Sequence, residues 1–280
     1  MMWAIIGSSG FDRLPGVDIL ETLPSDTPFG MASSGLKRIR IHSHECLFLP
    51  CHGESHELLP SEVNHRANIF VLKKFGATKC ISLGTVESLH PDCLVGDVVI
   101  PSQYINLTHS RQPVSFCGNG VVGHVSLANP IWEAGAQCVR SHHEQLGFAV
   151  HFDRTYLCAE GPCLPTMAES KLYHRLGADI VGMTAFPEYA LAREAGLCYL
   201  PCCFIAPSAQ WSKEECEGEE AEVPYGTLIQ KRAFQLTKIL FDRSPEEDGE
   251  CREGGLKVGL KTEWESIDRA HRTWLEIILN

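Results

Sequence analysis

The stretch "LPCHGESHELLPSEVNHRAN" gathers His52, His56 and His65 around Gly53, with Arg66 directly behind. Imidazoles titrate near neutrality and a guanidinium stays charged, so such a cluster can hold an anion or move a proton. A second candidate is the turn in "AIIGSSGF", where Gly7, Ser8, Ser9 and Gly10 follow an apolar run. Backbone N–H groups and hydroxyls in such a turn can cradle phosphate, although the GK[ST] ending of a P-loop and the GxGxxG pattern are both absent. A third, "AEGPCLPTMAES", sets Gly161, Pro162 and Thr166 between a strand and a helix. The last is "GMTAFPEYALAREAGLCYLPCCFIAPSAQW", from Gly182 to Trp211. Met183 and Thr184 open it as the rim of a pocket; Ala206, Pro207 and Ala209 end its strand where chemistry is expected and offer almost none.

These stretches need elements to position them. Short apolar runs read as strands at Trp3–Ile6, Cys46–Leu49, Lys79–Leu83, Asp97–Pro101, Arg154–Cys158, Ile180–Met183 and Cys198–Ile205. Several are continuous apolar blocks, as strands covered on both faces require. Helices are expected at Ser61–Phe75, Pro130–Leu146, Met167–Leu176, Pro187–Ala195 and Tyr225–Phe241. Ser61 reads as the first cap, Pro187 and Glu188 as a first turn, and Gly76 and Gly196 as C-terminal stops. The alternation predicts a single α/β domain over residues 1–243 with a mixed, largely parallel sheet between helices. Residues 244–255, acidic and glycine-rich, read as a linker, and residues 256–280 as a helical extension. Ser212–Glu222 has six glutamates in eleven residues and is expected to be a solvated, mobile loop.

Composition narrows the classes of partner. With 280 residues, 44% hydrophobic and 21% charged, the chain can bury a sizeable core. A net charge of -11 disfavours nucleic acid and anionic membranes. No apolar run reaches the roughly 20 residues a membrane helix needs, and "MMWAIIGSSG" has no charged leader region. The thirteen cysteines form no CxxC pair or zinc-spaced ladder, so no metal is expected. They are read as mainly reduced thiols of a cytoplasmic protein.

In combination, "GSSG", "HGESH…PSEVNHRANIFVLKKFGA", "GDVVIPSQYIN", "EGPCLPTMAES" and "GADIVGMTAFPEYALAREAGLCY" resemble the nucleoside phosphorylases of the purine nucleoside and 5'-methylthioadenosine type. The resemblance runs from about Trp3 to Phe241. It implies a homotrimer with the active site near a subunit interface. It also implies phosphorolysis: inorganic phosphate, the co-substrate, attacks the ribose anomeric carbon and a purine base departs, with no further cofactor. It places phosphate at Ser9, His52, Thr85 and Thr166, and the nucleoside at His56, Leu164, Met183 and Thr184.

The departures from that pattern fall on the chemistry. Cys51 stands where an arginine before His52 would hold phosphate, and Glu87 where glycine is usual. Leu164 and Pro165 stand where an aromatic or leucine and an acid or serine are usual. The acid or amide that holds the leaving purine falls on Ala206 or Pro207, and its companion on Ala209. None of these three can share a proton with a base. The expected function is therefore phosphate-dependent cleavage of a purine (5'-methylthio)nucleoside to base and ribose 1-phosphate, weak or altered, unless Ser208 or Gln210 substitutes. An inactive nucleoside-binding or scaffolding protein stays open as the alternative, and hydrolysis without phosphate as a third reading.

Overall fold

A computed structural model describes residues 2–7, 10–111, 113–207, 224–245 and 249–280. In chain order the elements are β1 (Met2–Gly7), β2 (Val17–Leu23), β3 (Asp26–Thr27), β4 (Gly30–Met31), β5 (Leu36–Ile41), β6 (His44–Pro50), α1 (His65–Lys74), β7 (Ala77–Ser88), β8 (Val98–Asn106), α2 (Glu133–His142), β9 (Val150–Cys158), α3 (Met167–Arg175), β10 (Ile180–Gly182), α4 (Ala185–Glu194), β11 (Cys198–Ile205), α5 (Tyr225–Arg243), α6 (Gly249–Glu253), α7 (Leu256–Gly259) and α8 (Arg269–Leu279). Nine strands form one mixed sheet in the order β10-β9-β8-β11-β7-β1-β6-β5-β2. The run β6-β1-β7-β11 is parallel, and a further antiparallel pairing of β10 with β7 closes five strands into a ring.

Strand alternation sorts the core onto two sides of the sheet. On β1, Trp3 and Ile5 pack with Ile131, Trp132 and Val139 around α2 and with Leu236 and Leu240 of α5. Ala4 and Ile6 point the other way, into a cluster with Ile69 and Phe70 of α1, Leu191 of α4 and Leu275 of α8. β6 and β11 repeat the pattern, with Phe48 and Leu200 on the first side and Leu47 and Tyr199 on the second. Full burial of a side chain such as Phe48 contributes about 1.5–3 kcal/mol. The expected α/β architecture with a central mixed sheet is the one observed.

Boundaries differ where tertiary contacts choose the cap. Helix α1 begins at His65, not Ser61. Asn64 caps it by accepting from the Ala67 N–H at 3.1 Å, while its own amide reaches the Phe29 carbonyl at 2.9 Å. Helix α2 starts three residues after Pro130, because buried Ile131 and Trp132 are spent packing and the Trp132 N–H donates to Tyr199 O at 2.8 Å. Strands β2 and β5 were not expected. Their signal was available in "LKRIRI", where Ile39 and Ile41 are buried beside Arg38 and Arg40.

The stretch read as a linker contains α6, with Cys251 buried and bonded to Cys198 at the start of β11. This corrects the expectation for that cysteine pair; among the described residues, ten other cysteines are free thiols. The two sulfurs are 53 residues apart in sequence. They meet because α6 seats on the turn before β11: a Cβ on Gly196 would come within 3.4 Å of the Arg252 backbone. Ser212–Glu222 lies outside the described residues.

Candidate active site

Strands β1, β6, β7 and β11 run parallel, so their carboxyl ends open onto one edge of the sheet, the usual place for a ligand in such folds. A cavity of about 310 Å³ lies there, within the range of small-molecule sites. Past β6 come Cys51, His52 and His56, and the far half of β7 supplies Thr85 and Glu87. Met183 and Thr184 follow β10, Ala206 follows β11, and Leu164 and Pro165 come from the loop before α3. The Cys51 N–H donates to Gly7 O at 3.1 Å, fixing the end of β6 beside the end of β1.

The structure thus brings His52, Thr85, His56, Leu164, Met183, Thr184 and Ala206 to one cavity. Thr166 is not among the described residues that line it. Its hydroxyl donates to Glu169 Oε2 at 2.8 Å and accepts from the Glu169 N–H at 3.2 Å, a reciprocal cap of α3. Pro207 is exposed beyond the cavity. Ser9, Ser208, Ala209 and Gln210 lie outside the described residues.

Gly161 sets the position of Met183. Its φ of +70° is open to glycine, and a Cβ there would sit 2.5 Å from Met183 Sδ. Gly182 is equally constrained, since a Cβ would meet the Tyr156 hydroxyl at 2.0 Å. His56 takes φ of +58°, a left-handed conformation uncommon outside glycine, and its ring lies 4.7 Å from that of His52.

The cavity is acidic. Glu57 and Glu87 line it, and among the described lining residues there is no lysine or arginine. His52 Nδ1 stands 2.9 Å from the Leu58 carbonyl oxygen. A carbonyl only accepts, so Nδ1 carries the proton and the neutral ring has its lone pair on Nε2. Burial holds the His52 imidazole below its ordinary range, opposed in part by that hydrogen bond. Burial pushes the Cys51 thiol far up, with the Glu188 carboxylate adding to the effect, so Cys51 is neutral.

The third clustered histidine and the arginine behind it stand apart from His52 and His56. His65 lies beneath the site, 3.7 Å from Glu188 Oε2. Arg66 stacks over the Phe29 ring at 4.4 Å, away from the cavity. Glu188 was read as a helix-start acid only, yet its carboxylate is buried and accepts from Ser82 Oγ at 2.6 Å and Tyr199 OH at 2.8 Å. Its signal was an acid in the otherwise apolar run "FPEYALA". Among the described residues, no group of three or more His, Cys, Asp or Glu side chains is placed to hold a metal ion. No helix among them is long and apolar enough to cross a membrane.

Comparison with known proteins places this geometry in context. Residues 3–238 match the model of the phosphorylase superfamily. S-methyl-5'-thioadenosine phosphorylase from Thermofilum pendens is 37% identical over 254 residues, covering 89% of this chain and 94% of that protein. S-methyl-5'-thioadenosine phosphorylase 1 from Puccinia graminis is 39% identical over 291 residues, covering 98% and 96%. Among solved structures, a methylthioadenosine phosphorylase from an antarctic soil metagenomic library superposes with a TM-score of 0.88 at 29% identity, covering 99% of this chain and 98% of that one. Methylthioadenosine phosphorylase from Schistosoma mansoni in complex with tubercidin superposes with a TM-score of 0.79 at 26% identity, covering 94% and 99%.

Proposed function

The chain belongs to the phosphorylase superfamily, and from that premise we propose that its cavity binds a purine 5'-methylthionucleoside and cleaves the N-glycosidic bond with phosphate, more slowly than its relatives. The observation that carries this reading is the convergence of His52, His56, Thr85, Met183 and Thr184 on one cavity at the carboxyl ends of the strands. Thr85 and Thr184 supply hydroxyls for the anion and sugar, Met183 an apolar face for the sugar, and Leu164 a wall. The carboxylates of Glu57 and Glu87 favour the positive charge that develops on the sugar as the base departs.

The slowness follows from what the cavity lacks among its described residues. A neutral thiol at Cys51 replaces a bidentate cation, and hydrogen bonds to charged groups typically contribute about 1.5–3 kcal/mol each. Ala206 presents a methyl group where an acid or amide would hold the purine; a general acid there is worth roughly two to four orders of magnitude. Inorganic phosphate is the only co-substrate in this reading. The same absence at Ala206 favours a second reading, in which the chain binds the nucleoside without turning it over.

A cytoplasmic homotrimer belongs to the proposal. Leu164, which lines the cavity, and Met167, Leu172 and Leu176 of the following helix and its C-cap are exposed, and they support the assembly as a face that another copy would cover. The deciding experiment is purine release by the purified chain from 5'-methylthioadenosine, adenosine and inosine, with and without phosphate. Slow release that rises with phosphate supports the reading; tight binding with no release on any nucleoside supports the second.

A further inference from the structure

We propose a second small-molecule site, separate from the nucleoside cavity, that takes an aromatic monocarboxylate against Arg66, Phe29 and Trp274.

A cavity of about 360 Å³ lies between Arg66 of α1, the first turns of α8, Phe29 and the loop from Phe116 to Asn119. Among the described residues it shares no lining side chain with the nucleoside cavity. Nor does it include the exposed apolar residues Leu164, Met167, Leu172 and Leu176. Aromatic rings build one wall. Phe29 meets Phe116 edge-on with centroids 5.4 Å apart, and Trp274 in the same manner at 5.1 Å. A planar ring suits such a wall, because offset and edge-to-face contacts between aromatic groups are favourable.

Arg66 supplies the charge, with its guanidinium over the Phe29 face at 4.4 Å. Among the described residues its one hydrogen-bond acceptor is the Ser115 carbonyl, 3.4 Å from Nη1, which is longer than a normal bond. No carboxylate there pairs with it. The oxygens of the neighbouring Glu194 are taken by the Ser115 hydroxyl at 2.6 Å and the Phe116 N–H at 2.7 Å. Burial works against the cation, and Glu194 does not fully offset it.

No aspartate or glutamate is among the described residues lining this cavity. Asp268, which caps α8 nearby, is engaged by the backbone N–H and the ring of His271. A guanidinium short of acceptors is matched by a carboxylate, whose two oxygens can accept from it side by side. With a single arginine and no lysine on the wall, one negative charge fits better than a phosphate dianion. Asn119 and Thr273 are exposed at the rim and add hydrogen-bonding groups.

The test titrates the full chain with 2-naphthoate by isothermal titration calorimetry. The controls are 2-naphthylmethanol, which keeps the ring without the charge, and acetate, which keeps the charge without the ring. The expected dissociation constant for 2-naphthoate is about 1 mM or tighter, in keeping with the size of the ligand. Both controls should bind at least about tenfold more weakly, and Arg66→Gln should cost 2-naphthoate a similar factor, on the scale of a hydrogen bond to a charged group. Millimolar phosphate or 5'-methylthioadenosine should leave its affinity unchanged. Thr273→Trp, at an exposed position of α8, fills the mouth and should abolish binding with the denaturation midpoint retained, so the claim stays testable if Arg66→Gln fails to fold. Equal affinity for 2-naphthylmethanol would remove Arg66 as the recognition group. Displacement by 5'-methylthioadenosine would put the ligand in the nucleoside cavity. Either result, no binding at all, or binding that survives both substitutions overturns the proposal.

Discussion

The Glu188 carboxylate of α4 accepts a hydrogen bond from the Ser82 hydroxyl of β7 at 2.6 Å, across 106 residues of chain. The Tyr199 hydroxyl joins the same carboxylate at 2.8 Å. This buried acid ties the helix behind the cavity to two of the strands whose ends form it. Glu188→Ala would remove the acceptor that both hydroxyls share and leave them only each other; an unsatisfied buried group costs about 1–3 kcal/mol. Chemical denaturation should show a loss of roughly 2–4 kcal/mol, with Glu188→Gln losing less. An unchanged midpoint for the alanine variant would show that the network is not stabilising.

Gly161 predicts a defect in binding more than in folding. Alanine there must adopt φ of +70° and push Met183 Sδ, only 2.5 Å from its Cβ. Left-handed strain costs about 1–2 kcal/mol. Nucleoside affinity should fall together with a small stability loss, because Met183 lines the cavity. A variant with wild-type affinity would place Met183 outside the binding surface.

Restoring a cation should restore phosphate use. Cys51→Arg gives the cavity a two-donor group; a gain of about 1.5–3 kcal/mol corresponds to roughly 10–150-fold in the phosphate-dependent rate. Adding Ala209→Asp, at the position the family resemblance assigns to base recognition, should raise it further than either change alone, since the two groups serve opposite ends of one transition state. Steady-state rates at varied phosphate check both claims, and a wild-type turnover of about 1 s⁻¹ or more would refute the premise that the site is depleted.

The Cys198–Cys251 bond should be countable. Thiol titration of the denatured, non-reduced chain should find two fewer thiols than after reduction. With 53 residues between the sulfurs, the chain-entropy model assigns the cross-link about 4 kcal/mol, so Cys251→Ser should unfold at lower denaturant even without reductant. Equal thiol counts before and after reduction would return the pair to the free state expected of a cytoplasmic protein.

Stability should also track the protonation of His52. Its folded-state value is lowered by burial, so the unfolded chain binds the proton more readily. Native stability is therefore fully present above the ordinary histidine value of about 6.5 and is lost as pH falls through the folded value. The partly buried ring of His42, also lowered, acts with the same sign. Denaturant midpoints should drop on going from pH 7.5 to 5.5, and drop less in His52→Gln. Parallel pH profiles for the two proteins would remove His52 from the account.

What the sequence determined by itself was the kind of protein and the neighbourhood of the site. The continuous apolar block of β11 and the alternation of strands and helices suffice for the fold, while the grouping of His52, Thr85, Met183 and Thr184 is what the family resemblance of the ordered motifs from "GSSG" to "GMTAFPEYALAREAG" implies. These features are local: side-chain periodicity and capping are written within a few residues. The tertiary structure decided the partners. It committed the Thr166 hydroxyl to its own helix, set His65 against Glu188, and joined Cys198 to Cys251. It also fixed which nitrogen of His52 keeps a lone pair. Each of these depends on which atom lies within about 3–4 Å in space, and for a carboxylate and a hydroxyl 106 residues apart no sequence period carries that information.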